Sequence, residues 1–519
     1  MADPTRHTGE AGGPSAVGHG SVRPYSYAWR ASLAAALFFG FYALALSLAG
    51  GALYLAYASI SSAHPVFVQS ALGCALFAFA VLKATFFVKR PSFEAPGPEI
   101  TASEEPKLFE LIQSVCAQMG TRMPTRIYLI PDVNAFVAEV GGFMGLGSQR
   151  VMAIGVGLLD VDDLSELRAT IAHEFGHYVA GDTRLGSFIY RTRAAIAQVL
   201  TSLGGSWFSK PFEWYGALFM RVTQAVSRAQ ELAADRSSVT LAGRDALVSS
   251  LRHESRAAVL FQHFLGSELT PLLEALHRPD NLYEGFRVFW HARVEQGSVA
   301  ELDVALENAG TTVYDTHPAL GERVRFAESL SDPGLARDRT PARSLLRDPE
   351  ATERRMTDHI LASTGNGPLT RVSWHEVTAK VYAPKLSGDA HLTAGEVAHA
   401  LGGAPDVSGA LMTLLLNLRG IGVKTVGERL EPRLSEVPAQ TRDDVSMRLL
   451  TFKLGVLFGQ ALVEAGGEWR SDVGHPHRVL FRSEPLKPFE LARAALLSRD
   501  GLVELERRYW DARRRDPIA

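Results

Sequence analysis

The most prominent pattern in the chain is an uncharged apolar stretch near its start. Residues 31–82 contain no Asp, Glu, Lys or Arg, and a polar break at 61–65 divides them into two segments. Each segment is long enough to cross a bilayer as a helix, which takes roughly 20 residues. We therefore predict membrane helices near 32–59 and 66–88, in preference to a cleaved signal peptide or a buried hairpin of a soluble protein.

Charges at the ends of the two segments predict how this hairpin is oriented. Arg23 and Arg30 precede the first segment, and Lys83, Lys89 and Arg90 end the second, whereas the connecting turn has neither Lys nor Arg. Because positively charged flanks stay on the cytoplasmic side of a membrane, we expect both ends of the hairpin, and everything that follows, in the cytoplasm.

Beyond the hairpin the pattern changes to short strands and amphipathic helices. Apolar residues at helical spacing predict a helix over 104–119, and the apolar run at 126–130 predicts a strand. A further apolar stretch covers 150–159. Asp163, with Glu166 three residues later, has the pattern of a capping box and predicts the start of the next helix.

These patterns divide the chain into four parts. Residues 1–30 have the Gly, Pro and Ser content of a disordered tail, and residues 31–90 form the transmembrane hairpin. We predict a catalytic domain over 91–335 and a separate α-rich domain over 336–519, to which the sequence assigns no role. The predicted fold class is mainly α with a small β-sheet.

Composition limits the chemistry that such a chain can perform. Its 519 residues have a formal net charge of -3, which gives no electrostatic reason to expect a nucleic-acid partner. Cys74 and Cys116 are the only cysteines, too few for a disulfide framework or a structural zinc site. Any bound metal must therefore be held by histidines and carboxylates.

A metal-binding pattern lies on the helix that Asp163 is predicted to start. His173 and His177 are four residues apart, so their side chains project from one helix face. Glu174 stands beside them, where it could accept a proton from a metal-bound water. This is the H-E-x-x-H pattern of metallopeptidases, although two histidines on a solvated helix face would give the same letters.

A catalytic zinc ion takes three protein ligands and keeps one position open. Glu231, within a helical pattern over 217–242, is the best candidate for the third ligand, and Asp235 lies on the same face of that helix. Alanines around both residues would allow close packing against the first helix. We expect Asp235 to accept a hydrogen bond from a ligand imidazole and so to orient it.

These residues resemble the HtpX-like and CAAX-prenyl-protease-like membrane zinc peptidases, which have H-E-x-x-H on one helix and E-x-x-x-D on the next. Asn134, Ala135 and Phe136 are similar to an element that precedes the catalytic helix in that family. His317 and Arg323 are similar to a downstream His-Pro and Arg pair. The resemblance covers about residues 95–330 and the hairpin.

The resemblance implies a zincin-type α+β domain that binds one Zn²⁺ and hydrolyses peptide bonds. It implies that His173, His177 and Glu231 are the metal ligands and that Glu174 is the general base. His317 becomes a candidate for polarising the scissile carbonyl. Asp235 and Arg323 are then expected to support the ligands.

The resemblance also implies the partners and the location of the protein. Protein or peptide substrates are expected to contact Asn134 and Phe136. They are also expected to lie along the strand near 150–155, which would be the exposed edge of the sheet. The bacterial inner membrane is the expected location, with the catalytic domain on the cytoplasmic side. Quality control of membrane proteins is the role that the family suggests.

One segment departs from the family pattern. HtpX-like proteins usually have two more membrane helices between the H-E-x-x-H helix and the Glu helix, whereas residues 184–226 here contain several charges. Their longest uncharged run, 194–209, is short for a membrane span. The aromatic residues of this segment could lie in the membrane interface or form the buried face of a helical hairpin, and the sequence leaves both open.

Two other functions also stay open. A catalytically silent membrane scaffold or metal-binding interaction module could keep the fold, although the intact His173, Glu174, His177 and Glu231 argue against such a loss of activity. Zinc-dependent hydrolysis of a substrate other than a peptide is also compatible with the motif.

Overall fold

The architecture was obtained from a computed structural model, which describes residues 24–61, 65–87, 93–141, 148–179, 183–204, 207–310, 318–362 and 368–514. Residues 1–23 of the predicted disordered tail lie outside these residues, and residues 24–30 are helical rather than disordered. In the rest, helices dominate and the sheets are small, which confirms the predicted fold class.

The two predicted membrane helices are present as an antiparallel pair. They are α1 (Pro24–Ser61) and α2 (Pro65–Phe86). Within them, Ala35–Ser61 and Gln69–Phe86 are long and apolar enough to cross a membrane. Only 22% and 28%, respectively, of an apolar 18-residue stretch in each is buried by protein. Exposed apolar surface of this length fits a lipid environment.

A four-stranded sheet with helices on one face follows the hairpin. Its elements are β1 (Glu99–Ile100), α3 (Pro106–Met119), β2 (Arg126–Ile130), β3 (Ala135–Val140), β4 (Gln149–Gly155), α4 (Val156–Val161) and α5 (Leu164–Val179). The strand order is β1-β2-β4-β3, with β2 and β4 parallel and the other pairs antiparallel. The helix predicted over 104–119 and the strand predicted over 126–130 are confirmed.

The start of α5 is the predicted capping box. The backbone N–H of Asp163 donates to Glu166 Oε2 at 2.8 Å, and the backbone N–H of Glu166 donates to Asp163 Oδ1 at 2.9 Å. Two of the amides that a helix start leaves without helical partners are thereby satisfied, so the first turn of the H-E-x-x-H helix is fixed locally.

The prediction that the strand near 150–155 forms the sheet edge is wrong. This strand is β4, and it is hydrogen-bonded to β2 on one side and to β3 on the other. Residues 151–155 are all buried, as in a strand covered on both faces. Among the described strands β3 pairs on one side only, so β3 is the edge next to α5.

The segment that departs from the family pattern folds into α6 (Thr183–Leu203), a short 3₁₀ turn (Trp207–Ser209) and α7 (Lys210–Ala242). The end of α6 and the start of α7 pack against the membrane hairpin and share an apolar core with it. Phe212 and Phe219 are fully buried in that core, where they lie near Phe41 and Ala45. Part of the segment is thus the buried face of a helical bundle.

The largest core joins the sheet to the helices that follow α7. These elements are α8 (Arg244–Phe264), α9 (Thr270–Glu274), β5 (His277–Pro279), α10 (Leu282–Glu295), α11 (Ser298–Asn308), α12 (Leu320–Glu328), α13 (Pro349–Ala362) and β6 (Thr370–Val372). The predicted division at residue 335 stays a prediction. Phe286 and Trp374, which lie on either side of it, share this core.

The remaining residues build a second, mainly helical core. Its elements are α14 (Ala383–Leu401), α15 (Val407–Leu430), α16 (Ala439–Glu464), β7 (Glu468–Arg470), β8 (Arg478–Phe481), β9 (Glu484–Leu486), α17 (Pro488–Leu497) and α18 (Arg499–Arg513). Gln440–Glu464 is apolar enough to cross a membrane, but 67% of its apolar 18-residue stretch is buried within the protein. Its apolar character is therefore explained by its place in the core.

Candidate active site

Two helices bring the three predicted metal ligands together. His173 and His177 lie one turn apart on α5, and their Nε2 atoms are 3.3 Å from each other. Glu231, on α7, places Oε2 3.5 Å from His173 Nε2 and Oε1 3.6 Å from His177 Nε2. One ligand atom from each residue lies within 4.8 Å of the others, close enough to bind a single metal ion.

The donor set fits zinc. Two imidazole nitrogens and one carboxylate are a ligand set of catalytic zinc sites, and they leave a position open. Among the residues that the structure describes, no other group of three His, Cys, Asp or Glu side chains converges in this way.

Close packing of α5 on α7 makes this convergence possible. A Cβ atom at Gly176 would lie 2.8 Å from the Cα and 3.1 Å from the Cβ of Ala234, which is closer than real Cβ contacts. One turn further from the cluster, the Ser238 hydroxyl donates to the carbonyl oxygen of Ala169 at 2.7 Å. Small residues at the contact therefore let α7 bring Glu231 within reach of the histidines.

A second buried layer orients His173. Its Nδ1 lies 2.9 Å from Asp235 Oδ1, and Arg323 donates to both oxygens of Asp235, at 2.6 Å and 3.1 Å. Since Nδ1 faces Asp235, Nε2 is directed towards the metal position. The structure thus places Asp235 and Arg323 together beside the ligands.

Electrostatics around His173 favour a positive charge in the cluster. Burial and the Arg323 guanidinium lower the pKa of His173, but hydrogen bonds to Asp235 and Glu231 outweigh them and raise it to about 9. The negative charge that holds this proton is the same charge that would stabilise a metal cation. Metal binding is expected to displace the proton.

Glu174 lies on the side of the cluster next to the sheet. Its Oε2 accepts a hydrogen bond from the backbone N–H of Val137 on β3, at 3.3 Å. The carboxylate of the predicted general base is thereby held between the catalytic helix and the edge strand.

The predicted substrate-binding residues and His317 do not all lie beside the metal cluster. Asn134 is exposed just before β3, and its carbonyl oxygen accepts a hydrogen bond from the amide of Gly155. Phe136 packs with Tyr128 and Val151 on the face of the sheet opposite α5, away from the metal cluster. His317 lies outside the described residues.

One residue beside a candidate ligand was not singled out from the sequence. Tyr178 follows His177, and the Arg150 guanidinium lies 4.2 Å from the centre of its ring. Arg150 Nη1 also donates to Thr121 Oγ1 at 2.8 Å. The signal that could have found Tyr178 is its spacing of four residues from Glu174, which places both on one helix face.

Parts of the chain are similar to known proteins. Residues 102–331 match the family model described as Peptidase family M48. The chain is 25% identical over 254 residues to "Protease HtpX homolog" of Pyrobaculum calidifontis, a match that covers 44% of this chain and 69% of that protein. No solved structure matches.

Two further relatives also have the name HtpX. "Protease HtpX" of Idiomarina loihiensis is 24% identical over 203 residues, which is 34% of this chain and 69% of the relative. "Protease HtpX" of Pectobacterium atrosepticum is 29% identical over 174 residues, which is 28% of this chain and 57% of the relative.

Residues 102–331 therefore resemble peptidase family M48, and the predicted resemblance to the HtpX-like membrane metallopeptidases is confirmed. The matches and the two exposed apolar helices of the hairpin support a membrane-associated metalloprotease. Residues 336–519 lie outside the matched region.

Proposed function

We propose that this protein is a membrane-anchored zinc-dependent endopeptidase in which Glu174 is the general base. The observation that carries this proposal is the convergence of His173, His177 and Glu231 from two helices, with Glu174 beside them. A bound zinc ion would act as a Lewis acid that acidifies water and polarises the scissile carbonyl.

Each residue of the site then has a distinct task. His173, His177 and Glu231 hold the metal, and Asp235 and Arg323 keep His173 in the orientation that presents Nε2. Glu174, fixed by the amide of Val137, takes a proton from the attacking water and delivers it to the leaving amine. His317 is proposed, from the family resemblance, to help polarise the carbonyl.

The edge of β3 is the proposed docking line for the substrate. An extended peptide can add to a free strand edge through backbone hydrogen bonds, which give affinity with loose sequence preference. Asn134 lies at the exposed start of this edge, which supports its proposed contact with substrate. Phe136 faces the other side of the sheet, so any contact with substrate there would be indirect.

The cellular setting is part of the same proposal. The positively charged flanks of the hairpin favour a catalytic domain on the cytoplasmic side of a bacterial inner membrane. Proteins or peptides are the proposed substrates, because the relatives are named as proteases. Membrane-protein quality control is the role proposed from the family resemblance.

The experiment is cleavage of an unfolded model protein by the detergent-purified chain, beside Glu174→Gln and Glu301→Gln, an exposed control on α11. We expect Glu174→Gln to retain zinc and to lose turnover by a factor of at least about 10² because the proton acceptor is gone. Glu301→Gln should cut like the native chain, and a zinc chelator should stop both.

Two results would oppose this assignment. Loss of zinc from Glu174→Gln would show that Glu174 is needed for metal binding rather than for proton transfer alone. Binding of zinc by the native chain with no cleavage of any unfolded protein would favour the silent scaffold.

A further inference from the structure

The short helical hairpin between the two metal-binding helices has an exposed aromatic tip. We call residues 194–204 and 207–220 the aromatic hairpin; they contain the end of α6, the 3₁₀ turn and the start of α7. At its tip Trp207 is 82% exposed and Phe208 57%, and on α7 Trp214 is 74% exposed and Leu218 49%. A cluster of large apolar side chains this exposed marks an interaction surface.

Contacts with the membrane helices give the depth of this tip. At the base of the hairpin, the Gln198 amide donates to the carbonyl oxygen of Phe87, just past the end of α2, at 3.4 Å. At the tip, the ring of Phe208 lies 5.2 Å from that of Phe77. Phe87 follows Phe77 by ten positions, a rise of about 15 Å along the axis of α2. The tip therefore reaches about half the 30 Å thickness of a hydrocarbon core.

Contacts with the first membrane helix place Phe212, which follows the tip on α7, at a smaller depth than the tip. The rings of Phe212 and Phe41 are 6.3 Å apart, and Phe41 lies six residues, or about 9 Å, inside the candidate span Ala35–Ser61. The aromatic hairpin thus packs on the half of both membrane helices that is nearer to the catalytic domain.

Charged residues mark both ends of the hairpin at about the same height along the two helices. Arg193 precedes it on α6 and Arg221 follows it on α7, and Arg193 Nη2 donates to Thr223 Oγ1 at 3.0 Å, which places the two helices side by side there. Inside these limits the charged residues are Lys210 and Glu213, which form an ion pair at 2.8 Å. Two arginines at the base and a paired charge near the tip are compatible with entry from a headgroup layer.

We propose that the aromatic hairpin inserts into the membrane leaflet next to the catalytic domain, reaches about the middle of the bilayer, and does not cross it. Trp207, Phe208 and Trp214 contact lipid in this arrangement. The occupant is lipid rather than protein because the surface is continuous with that of α1 and α2, whose candidate spans are mostly exposed and apolar.

The test measures the depth of single labelled positions in lipid vesicles. In a background with Cys74→Ala and Cys116→Ala, the full chain carries Trp207→Cys or Trp214→Cys, labelled with an environment-sensitive fluorophore. Thr240→Cys, at an exposed position of α7 beyond the metal cluster, is the matched control in water. Leu72→Cys, 63% exposed on α2, is the control in the membrane.

Vesicles of phosphatidylcholine and phosphatidylglycerol contain lipids brominated at shallow or deep acyl positions. We expect labels at 207 and 214 to be quenched by brominated lipid at least twofold more than the label at 240, and to resist aqueous iodide as the label at 72 does. Zinc content equal to that of the unlabelled chain confirms that each variant is folded.

Two outcomes would overturn the proposal. Labels at 207 and 214 that iodide quenches as strongly as the label at 240 would place the hairpin in water. Labels shielded from both iodide and brominated lipid would mean that protein, such as a second copy of the chain, covers the hairpin.

Discussion

At the scale of single residues, the candidate metal site includes a buried carboxylate that contacts His173 rather than the metal position. Asp235 is completely buried, between His173 and Arg323. Burial raises the pKa of Asp235, but hydrogen bonds from His173 and Arg323 outweigh it and hold that pKa below its usual value. Asp235 is therefore a stable anion that, in the proposed site, would orient His173 and strengthen it as a ligand.

Asp235→Asn removes this negative charge with almost no change of shape. We expect zinc affinity to fall by a factor of about 10 to 100, the usual effect of losing such a support. Competition with a chelator of known affinity measures this change. Asp245→Asn, at an exposed position of α8, should leave zinc affinity unchanged; equal affinities for both variants would contradict the role given to Asp235.

At the scale of secondary-structure elements, the site depends on how closely α5 approaches α7. Gly176 and Ala234 meet at that contact, and Glu231 lies one turn before Ala234 on α7. An added methyl group would have to separate the helices by a few tenths of an ångström, because backbone atoms cannot move aside as a flexible side chain does.

Gly176→Ala should therefore lower thermal stability and weaken zinc binding together. Overpacking of this kind costs about 1–3 kcal/mol, whereas Ala normally stabilises a helix relative to Gly by about 0.5–1 kcal/mol. Gly395→Ala on α14, where a Cβ would meet no atom within 4 Å, should show only that gain. A Gly176→Ala variant as stable as Gly395→Ala, with unaltered zinc affinity, would rule out the close contact.

Sequence patterns predicted those helices and strands whose formation depends on neighbouring residues in the chain. The capping box at Asp163 and Glu166 needs only four residues, and the membrane helices need only their own composition. The sheet edge was predicted wrongly because strand order depends on pairing between distant residues. The continuous apolar run 151–154 is typical of an interior strand, whereas the edge position rested on the family resemblance alone.

At the scale of the whole molecule, α7 links the membrane to the metal cluster. It has 33 residues and is about 50 Å long. Its first turns pack against the membrane hairpin, and Glu231 follows ten residues after Arg221, a rise of about 15 Å. In the proposed arrangement the metal cluster therefore lies close to the membrane surface. The same helix, α7, contacts the membrane hairpin and carries the candidate ligand Glu231.

The C-terminal part is attached through buried polar contacts that no sequence pattern revealed. Glu268, after α8, accepts hydrogen bonds from the hydroxyl of Tyr382 at 2.5 Å and from the amide of Gly474 at 3.2 Å. Its partners are 114 and 206 residues away in the chain, so only the folded structure brings them together. By contrast, the candidate ligands His173 and His177 could be predicted as a pair because they lie one helical turn apart, whereas the assignment of Glu231 also rested on the resemblance to a known family.

The most direct test of the central claim is zinc K-edge X-ray absorption of the purified chain, with zinc content measured on the same sample. The account predicts one zinc per chain, with two histidine nitrogens at about 2.0–2.1 Å, carboxylate or water oxygens at similar distances and no sulfur. Zinc bound through sulfur, or no zinc retained at neutral pH, would contradict the site formed by His173, His177 and Glu231.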